Sequence, residues 1–120
     1  MKAVFDTNIL IDHLNGIAEA RKEIKRYSRI LISSITWMEV LVGASEEEEP
    51  LVRAFLSQFE QIHVTGEIAE KAVSIRRGSK LRLPDAIIKA TAEIENALLV
   101  SRNTKDFPED DPGIVVPYHL

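Results

Sequence analysis

Three acidic residues, Asp6, Glu39 and Asp85, lie where apolar runs end or where helices are predicted to begin. Carboxylate oxygens are the ligands that Mg²⁺ prefers in proteins, and Mn²⁺ accepts similar ligands. Without a cation, carboxylates brought close together repel one another, and their pKa values rise. If the fold brings these distant side chains together, they predict a divalent-metal site.

Each acid also has an ordinary structural interpretation. Asp6 could cap a following helix, because Asp side chains accept hydrogen bonds from free helix-terminal N–H groups. The pair Thr36 and Glu39 has the spacing of a capping box, and Asp85 fits a helix N-cap. Asp106 could equally be a surface or cap residue. Spacing alone leaves these interpretations open.

The composition limits which chemistry is available. The chain has 120 residues, which suits one domain over 1–120, and it contains no cysteine. Thiolate ligands, disulfides and a cysteine nucleophile are therefore excluded. The three histidines lack paired metal-ligand spacing, so no zinc site is predicted. No run reaches the roughly 20 apolar residues of a membrane span, so we expect a cytoplasmic protein.

Basic residues are concentrated in one part of a chain whose net charge is −4. Residues 71–105 hold eight basic residues against three acids, so this segment carries +5 and the rest carries −9. Such a segment could contact a nucleic-acid backbone, although basic residues close in sequence need not share one surface.

Alternating strand and helix patterns must position these residues. Short runs rich in Val, Ile and Leu predict strands at residues 3–5, 30–33, 62–64, 98–101 and 114–116. Helical spacing predicts helices at residues 8–15, 17–26, 36–42, 51–59, 67–77 and 85–95. This alternation favours a parallel sheet covered on both faces. Ligands bind such sheets beyond the carboxyl ends of the strands, where Asp6, Glu39 and Asp106 are expected.

Four segments in order resemble the PIN-domain family, most closely its small VapC-type toxin ribonucleases. They are VFDTNILID (4–12), ISSITWMEV (32–40), LPDAIIKATA (83–92) and LVSRNTKDF (99–107). The resemblance spans nearly the whole chain. It implies an α/β, three-layer sandwich with a central parallel sheet of about five strands, PIN-like and Rossmann-like.

The resemblance assigns roles to individual residues. It implies that Asp6 and Asp85 hold a Mg²⁺ or Mn²⁺ ion, that Glu39 binds it, often through water, and that Asp106 orients water or a second ion. Side chains expected to support these acids are Thr7, Asn8, Ser101 and Asn103. Many family members carry Asp where Asn103 stands, and Asp106 is expected to supply the missing carboxylate.

The resemblance also implies a function and partners. We expect a metal-dependent endoribonuclease, the toxin of a toxin–antitoxin system, with an RNA substrate, a cognate antitoxin and a homodimeric state. The residues expected to bind the RNA backbone are Arg102, Lys105, Arg82 and Lys80. Trp37, Met38 and Leu41 could form a subunit contact, although burial in the core is the favoured interpretation.

Three other functions are weighed against the nuclease. A catalytically silent PIN fold that only binds protein is the alternative suggested by Asn103. A phosphorylation-driven receiver domain needs an acceptor Asp after its third strand, where residues 62–65 offer none. A phosphatase of the haloacid-dehalogenase kind would begin with Asp-x-Asp, whereas this chain has Asp6-Thr7-Asn8.

Overall fold

A computed structural model describes residues 1–120 and contains five strands and six helices. The strands are β1 (Lys2–Phe5), β2 (Arg29–Ser33), β3 (Glu60–Ile62), β4 (Leu98–Val100) and β5 (Ile114–Val115). The helices are α1 (Thr7–Leu14), α2 (Ala18–Lys25), α3 (Ser34–Val42), α4 (Glu49–Leu56), α5 (Gly66–Arg77) and α6 (Leu83–Ile94).

The five strands form one sheet in the order β3-β2-β1-β4-β5, and every neighbouring pair is parallel. This confirms the predicted α/β fold with a parallel sheet of five strands. The chain moves outward from β1 through β2 to β3, and then crosses over to β4 on the other side of β1. Strand order therefore reverses between β1 and β4, and a ligand site is expected beyond their carboxyl ends.

Helices cover both faces of the sheet because side chains in a strand alternate between its two sides. Ala3 and Phe5 point into a core formed with α1, α2, α3 and α4, while Val4 points into a second core against α6. All three side chains are fully buried. Helix α5 packs outside α6 through a small third cluster. None of the six helices has the length and apolar character needed to cross a membrane.

The starts of β3 and α3 differ from the predicted starts. Strand β3 begins at Glu60 rather than at residue 62, because its backbone pairs with β2 from Leu31↔Glu60 to Ser33↔Ile62. Helix α3 begins at Ser34, two residues before the predicted start, because the Ser33 side chain caps it by accepting from the Ile35 N–H at 3.1 Å. The capping-box interpretation of Thr36 and Glu39 is therefore wrong.

Candidate active site

Asp6 lies at the carboxyl end of the central strand and is almost completely buried. Its backbone N–H donates to the Val100 carbonyl at 2.9 Å, which extends the pairing of β1 with β4 by one residue. Its side chain is only 4% exposed. Asp6 caps α1, as the structural interpretation predicted, because its Oδ1 accepts from the Thr7 N–H at 2.7 Å.

Two further side chains hold the second carboxylate oxygen of Asp6. The Ser101 hydroxyl, which follows β4, donates to Oδ2 at 2.7 Å. The Asn8 amide donates to the same oxygen at 3.2 Å and lies 3.3 Å from the Ser101 hydroxyl. The Asp6 carboxylate thus has one orientation, fixed by α1 and by the residue after β4.

Glu39 reaches the same edge from the second turn of α3. The Thr7 hydroxyl donates to Glu39 Oε1 at 2.6 Å and lies 3.0 Å from the buried Thr36 hydroxyl. Thr7 therefore connects Asp6, through its backbone, to Glu39, through its side chain. The predicted association of Thr7 with the acidic residues has this physical basis.

Asp85 is in the first turn of α6 rather than at its N-cap, a position that Arg82 occupies. Burial raises the pKa of Asp85 above its usual value, and the nearby charges of Asp106 and Glu39 raise it further. The Arg82 guanidinium acts in the opposite direction. The charges of Glu39 and Asp106 are therefore close enough to influence the ionisation of Asp85.

The charges of neighbouring acids also affect the pKa of Asp6. Burial raises the pKa of Asp6 to about 6, the charges of Asp85 and Glu39 raise it, and the Ser101 and Thr7 hydrogen bonds oppose the increase. The fold thus brings all four acids predicted from the sequence to one edge of the sheet. We call Asp6, Glu39, Asp85 and Asp106 the acidic cluster.

Asp106 is exposed and is positioned by Asn103. The Asn103 amide donates to Asp106 Oδ2 at 2.9 Å, and the Asn103 N–H donates to the Ser101 hydroxyl at 3.0 Å. The Phe107 N–H donates to the Asn103 carbonyl at 2.9 Å, and the Phe107 ring is fully buried. The neutral amide at position 103 therefore supports the carboxylate at position 106.

The acidic cluster fits a hard cation, although the structure contains no group of three or more His, Cys, Asp or Glu side chains already arranged to hold a metal ion. Its donors are all oxygens, and burial together with the charges of neighbouring acids raises the pKa values of Asp6 and Asp85, which a bound cation would oppose. Mg²⁺ typically needs only one or two protein carboxylates and keeps several water ligands.

The basic residues predicted to bind RNA differ in their surroundings. Lys80, Arg82 and Lys105 have exposed side chains close to the acidic cluster in sequence. Arg102 is predicted from the sequence to bind the RNA backbone, and in the structure its guanidinium forms a two-pronged ion pair with Asp12, at 2.6 and 2.9 Å. This ion pair holds the Arg102 side chain against α1, with 33% of the side chain still exposed.

Sequence reasoning gave no role to Asp12 or Tyr118. Asp12 is 4% exposed and also accepts from the Tyr118 hydroxyl at 2.8 Å. A signal was present, because Asp12 follows Asn8 by one helical turn and interrupts an apolar run. Its partners could not be found from spacing, since they lie 90 and 106 residues away.

The prediction that the apolar residues of α3 are buried in the core is partly wrong. Trp37 and Leu41 pack against the core, as predicted, but Met38 is 47% exposed. The cause is the helix itself, whose inward face carries Thr36 and Val40 and whose outward face carries Met38 and Val42.

Comparison with known proteins identifies the class to which this fold and site belong. A family model described as PIN domain matches residues 3–109. This match covers most of the chain, and the chain therefore belongs to the PIN domain family.

Individual relatives show which members of the PIN domain family this chain is similar to. Ribonuclease VapC19 of Mycobacterium tuberculosis is 31% identical over 126 residues, which cover 96% of this chain and 98% of the relative. A tRNA(fMet)-specific endonuclease VapC of Salmonella typhimurium is 32% identical, with 95% of each chain covered. A chain in a solved toxin–antitoxin complex from Klebsiella pneumoniae is 48% identical, with 98% and 99% covered and a TM-score of 0.93. The chain is thus similar to VapC-type proteins over nearly its whole length.

Proposed function

We propose that this protein is a metal-dependent endoribonuclease that acts as the toxin of a toxin–antitoxin pair in the cytoplasm. The observation that carries the proposal is the acidic cluster, in which acids from four separate parts of a PIN domain meet at the strand-order reversal. Two VapC-type relatives, one named a ribonuclease and the other a tRNA(fMet)-specific endonuclease, support RNA as the substrate.

Each residue of the acidic cluster would have a role in phosphodiester hydrolysis. A bound Mg²⁺ or Mn²⁺ ion would supply a Lewis acid that activates water and neutralises charge on the phosphate. Asp6 and Asp85 would hold the ion. Glu39 and Asp106, which are exposed, would accept protons from water molecules and orient them.

Neighbouring side chains keep these acids in place. Ser101 and Asn8 fix Asp6, Thr7 fixes Glu39, and Asn103 fixes Asp106. The exposed Lys80, Arg82 and Lys105 would contact RNA phosphates, which are recognised through charge without regard to base identity.

Cleavage of a mixed RNA pool by the purified protein tests this proposal. We expect cutting with Mg²⁺ or Mn²⁺, none with chelator, and a loss in Asp6→Asn. Asp110→Asn is the matched control, because it removes an equivalent but exposed carboxylate outside the acidic cluster. A folded wild-type protein that cuts no RNA with any metal would instead favour a PIN fold that only binds protein.

Two protein partners are proposed, an antitoxin and a second copy of this chain. This chain resembles a chain in a solved toxin–antitoxin complex, and we propose an antitoxin partner here.

We also propose a homodimer that uses the outward face of α3, where Met38 is 47% and Val42 is 87% exposed. Light scattering should show a dimer that Val42→Lys converts to a monomer. Leu120→Lys, at another exposed apolar position, should leave the dimer intact.

A further inference from the structure

Arg102 joins three segments that are distant in sequence. Its Nε and Nη2 donate to the two oxygens of Asp12 on α1 at 2.6 and 2.9 Å, and the Tyr118 hydroxyl donates to Asp12 Oδ2 at 2.8 Å. The chain after β4, helix α1 and the segment after β5 are therefore tied at one buried carboxylate. We call Asp12, Arg102 and Tyr118 the clamp.

The clamp is one helical turn from Asn8, which contacts Asp6 of the acidic cluster. Asn8 and Asp12 follow each other at i and i+4 on α1, and both bind residue 102. The Arg102 N–H donates to Asn8 Oδ1 at 3.3 Å, while the guanidinium binds Asp12. Residue 102 is therefore held against α1 by both its backbone and its side chain.

Holding residue 102 in place also fixes the groups that orient Asp6. Ser101, the adjacent residue, donates to Asp6 Oδ2 at 2.7 Å, and Asn8 donates to the same oxygen at 3.2 Å. Ser101 also accepts from the Asn103 N–H, and Asn103 in turn positions Asp106. A displacement of Arg102 would move the support of two acids at once.

We propose that Arg102 is a positioning residue for the nuclease reaction, acting through the clamp rather than by binding an RNA phosphate. This inference rests on the proposed nuclease function and deepens it. The Asp12 side chain is 6% exposed and that of Arg102 is 33% exposed. Moving the guanidinium onto a phosphate would leave a buried carboxylate without its cation, which is strongly unfavourable.

A positioning role and a phosphate-binding role for Arg102 predict different kinetics for Arg102→Lys. Lysine keeps the positive charge and can still bind a phosphate, but it cannot reproduce the two-pronged contact with Asp12. For a positioning role we expect kcat to fall about 10- to 100-fold, with KM unchanged. Mn²⁺ affinity, measured by electron paramagnetic resonance without RNA, should fall by a similar factor.

Arg29→Lys is the matched control. Arg29 forms an equally short two-pronged pair with Glu60, at 2.8 and 2.8 Å, but at the amino end of the sheet and exposed to solvent. This control should leave kcat, KM and Mn²⁺ affinity unchanged. Tyr118→Phe, which removes one hydrogen bond and keeps the ion pair, should lower kcat and Mn²⁺ affinity in the same direction by a smaller factor.

Arg102→Gln completes the test through the salt dependence of RNA binding in chelator. A positioning role predicts an unchanged slope of log affinity against log salt. A slope reduced by about 0.7, with KM raised and Mn²⁺ affinity intact, would show a phosphate contact and overturn the proposal. Wild-type kinetics in all Arg102 variants would overturn it too. If the Arg102 variants do not fold, Tyr118→Phe decides by the same measurements.

The Mn²⁺ measurement separates this proposal from the proposed function. If the wild-type protein binds Mn²⁺ but cuts no RNA, the nuclease proposal fails and the clamp is still tested by metal affinity. If RNA is cut and the Arg102 variants keep full Mn²⁺ affinity and kcat, only the clamp fails.

Discussion

The buried carboxyl of Asp6 should make the stability of the metal-free protein depend on pH. Burial raises the pKa of Asp6 from 3.8 to about 6, so folding favours the protonated form. A carboxyl with a raised pKa contributes stability below its unfolded-state pKa, and that contribution is lost as pH rises through the folded-state value. The difference of about two pH units corresponds to about 3 kcal/mol of lost stability at neutral pH.

Asp6→Asn isolates this effect, because asparagine cannot ionise. In chelator, the free energy of unfolding of the variant minus that of the wild type should increase by about 1 to 1.5 kcal/mol between about pH 5 and pH 7.5. The rest of the change in this stability difference occurs below about pH 5. Altered hydrogen bonds with Ser101 and Asn8 add an offset that does not depend on pH. Urea denaturation at each pH measures the difference.

A divalent ion should stabilise the wild-type protein more than Asp6→Asn. Mn²⁺ at 100 times its dissociation constant should stabilise the wild-type protein by about 2.7 kcal/mol, because it binds only the folded state. Asp6→Asn should gain much less. Asp110→Asn, at an exposed position, should follow the wild type under both conditions. A stability difference between Asp6→Asn and wild type that stays constant from pH 5 to 7.5 would refute the reasoning.

Three further substitutions test how the acidic cluster is supported. Ser101→Ala should lower Mn²⁺ affinity about 10-fold, because Asp6 loses its 2.7 Å hydrogen bond, and an unchanged titration curve would contradict this. Thr7→Val should lower kcat about 10-fold by freeing Glu39, with an unchanged circular dichroism spectrum, and full activity would show that the 2.6 Å contact is dispensable. Phe107→Ala should reduce the free energy of unfolding by about 3 to 5 kcal/mol in urea, since the ring is fully buried, and a loss below about 1 kcal/mol would argue against its packing role.

The sheet and the position of the acids were predictable because both follow from local patterns. Short apolar runs alternating with helical spacing leave few arrangements other than a parallel sheet. In such a sheet the carboxyl ends of all strands share one edge, so Asp6 after β1 and Ser101 after β4 become neighbours. Asp85 was harder to place, since its location depends on where α6 begins relative to that edge.

The clamp was not predictable because it depends on long-range contacts between side chains. Tyr118 lies beyond the last strand, and no periodicity connects it with Asp12 on α1. The start of β3 was missed for a similar reason, since an edge strand takes its register from its neighbour. Val64, which looked like part of that strand, is 43% exposed. Local sequence identifies an apolar run but not which strand it pairs with.

The hydrogen bonds of Asp6 restrict how it can bind a cation. An ionised carboxylate has about four acceptor sites, two on each oxygen. Oδ2 already accepts from Ser101 and Asn8, and Oδ1 accepts from the Thr7 N–H. One acceptor site therefore remains, on Oδ1, so Asp6 would bind an ion through a single oxygen. A cation held by one oxygen of Asp6 must complete its coordination with water and with the more exposed acids, which leaves room for a phosphate to approach.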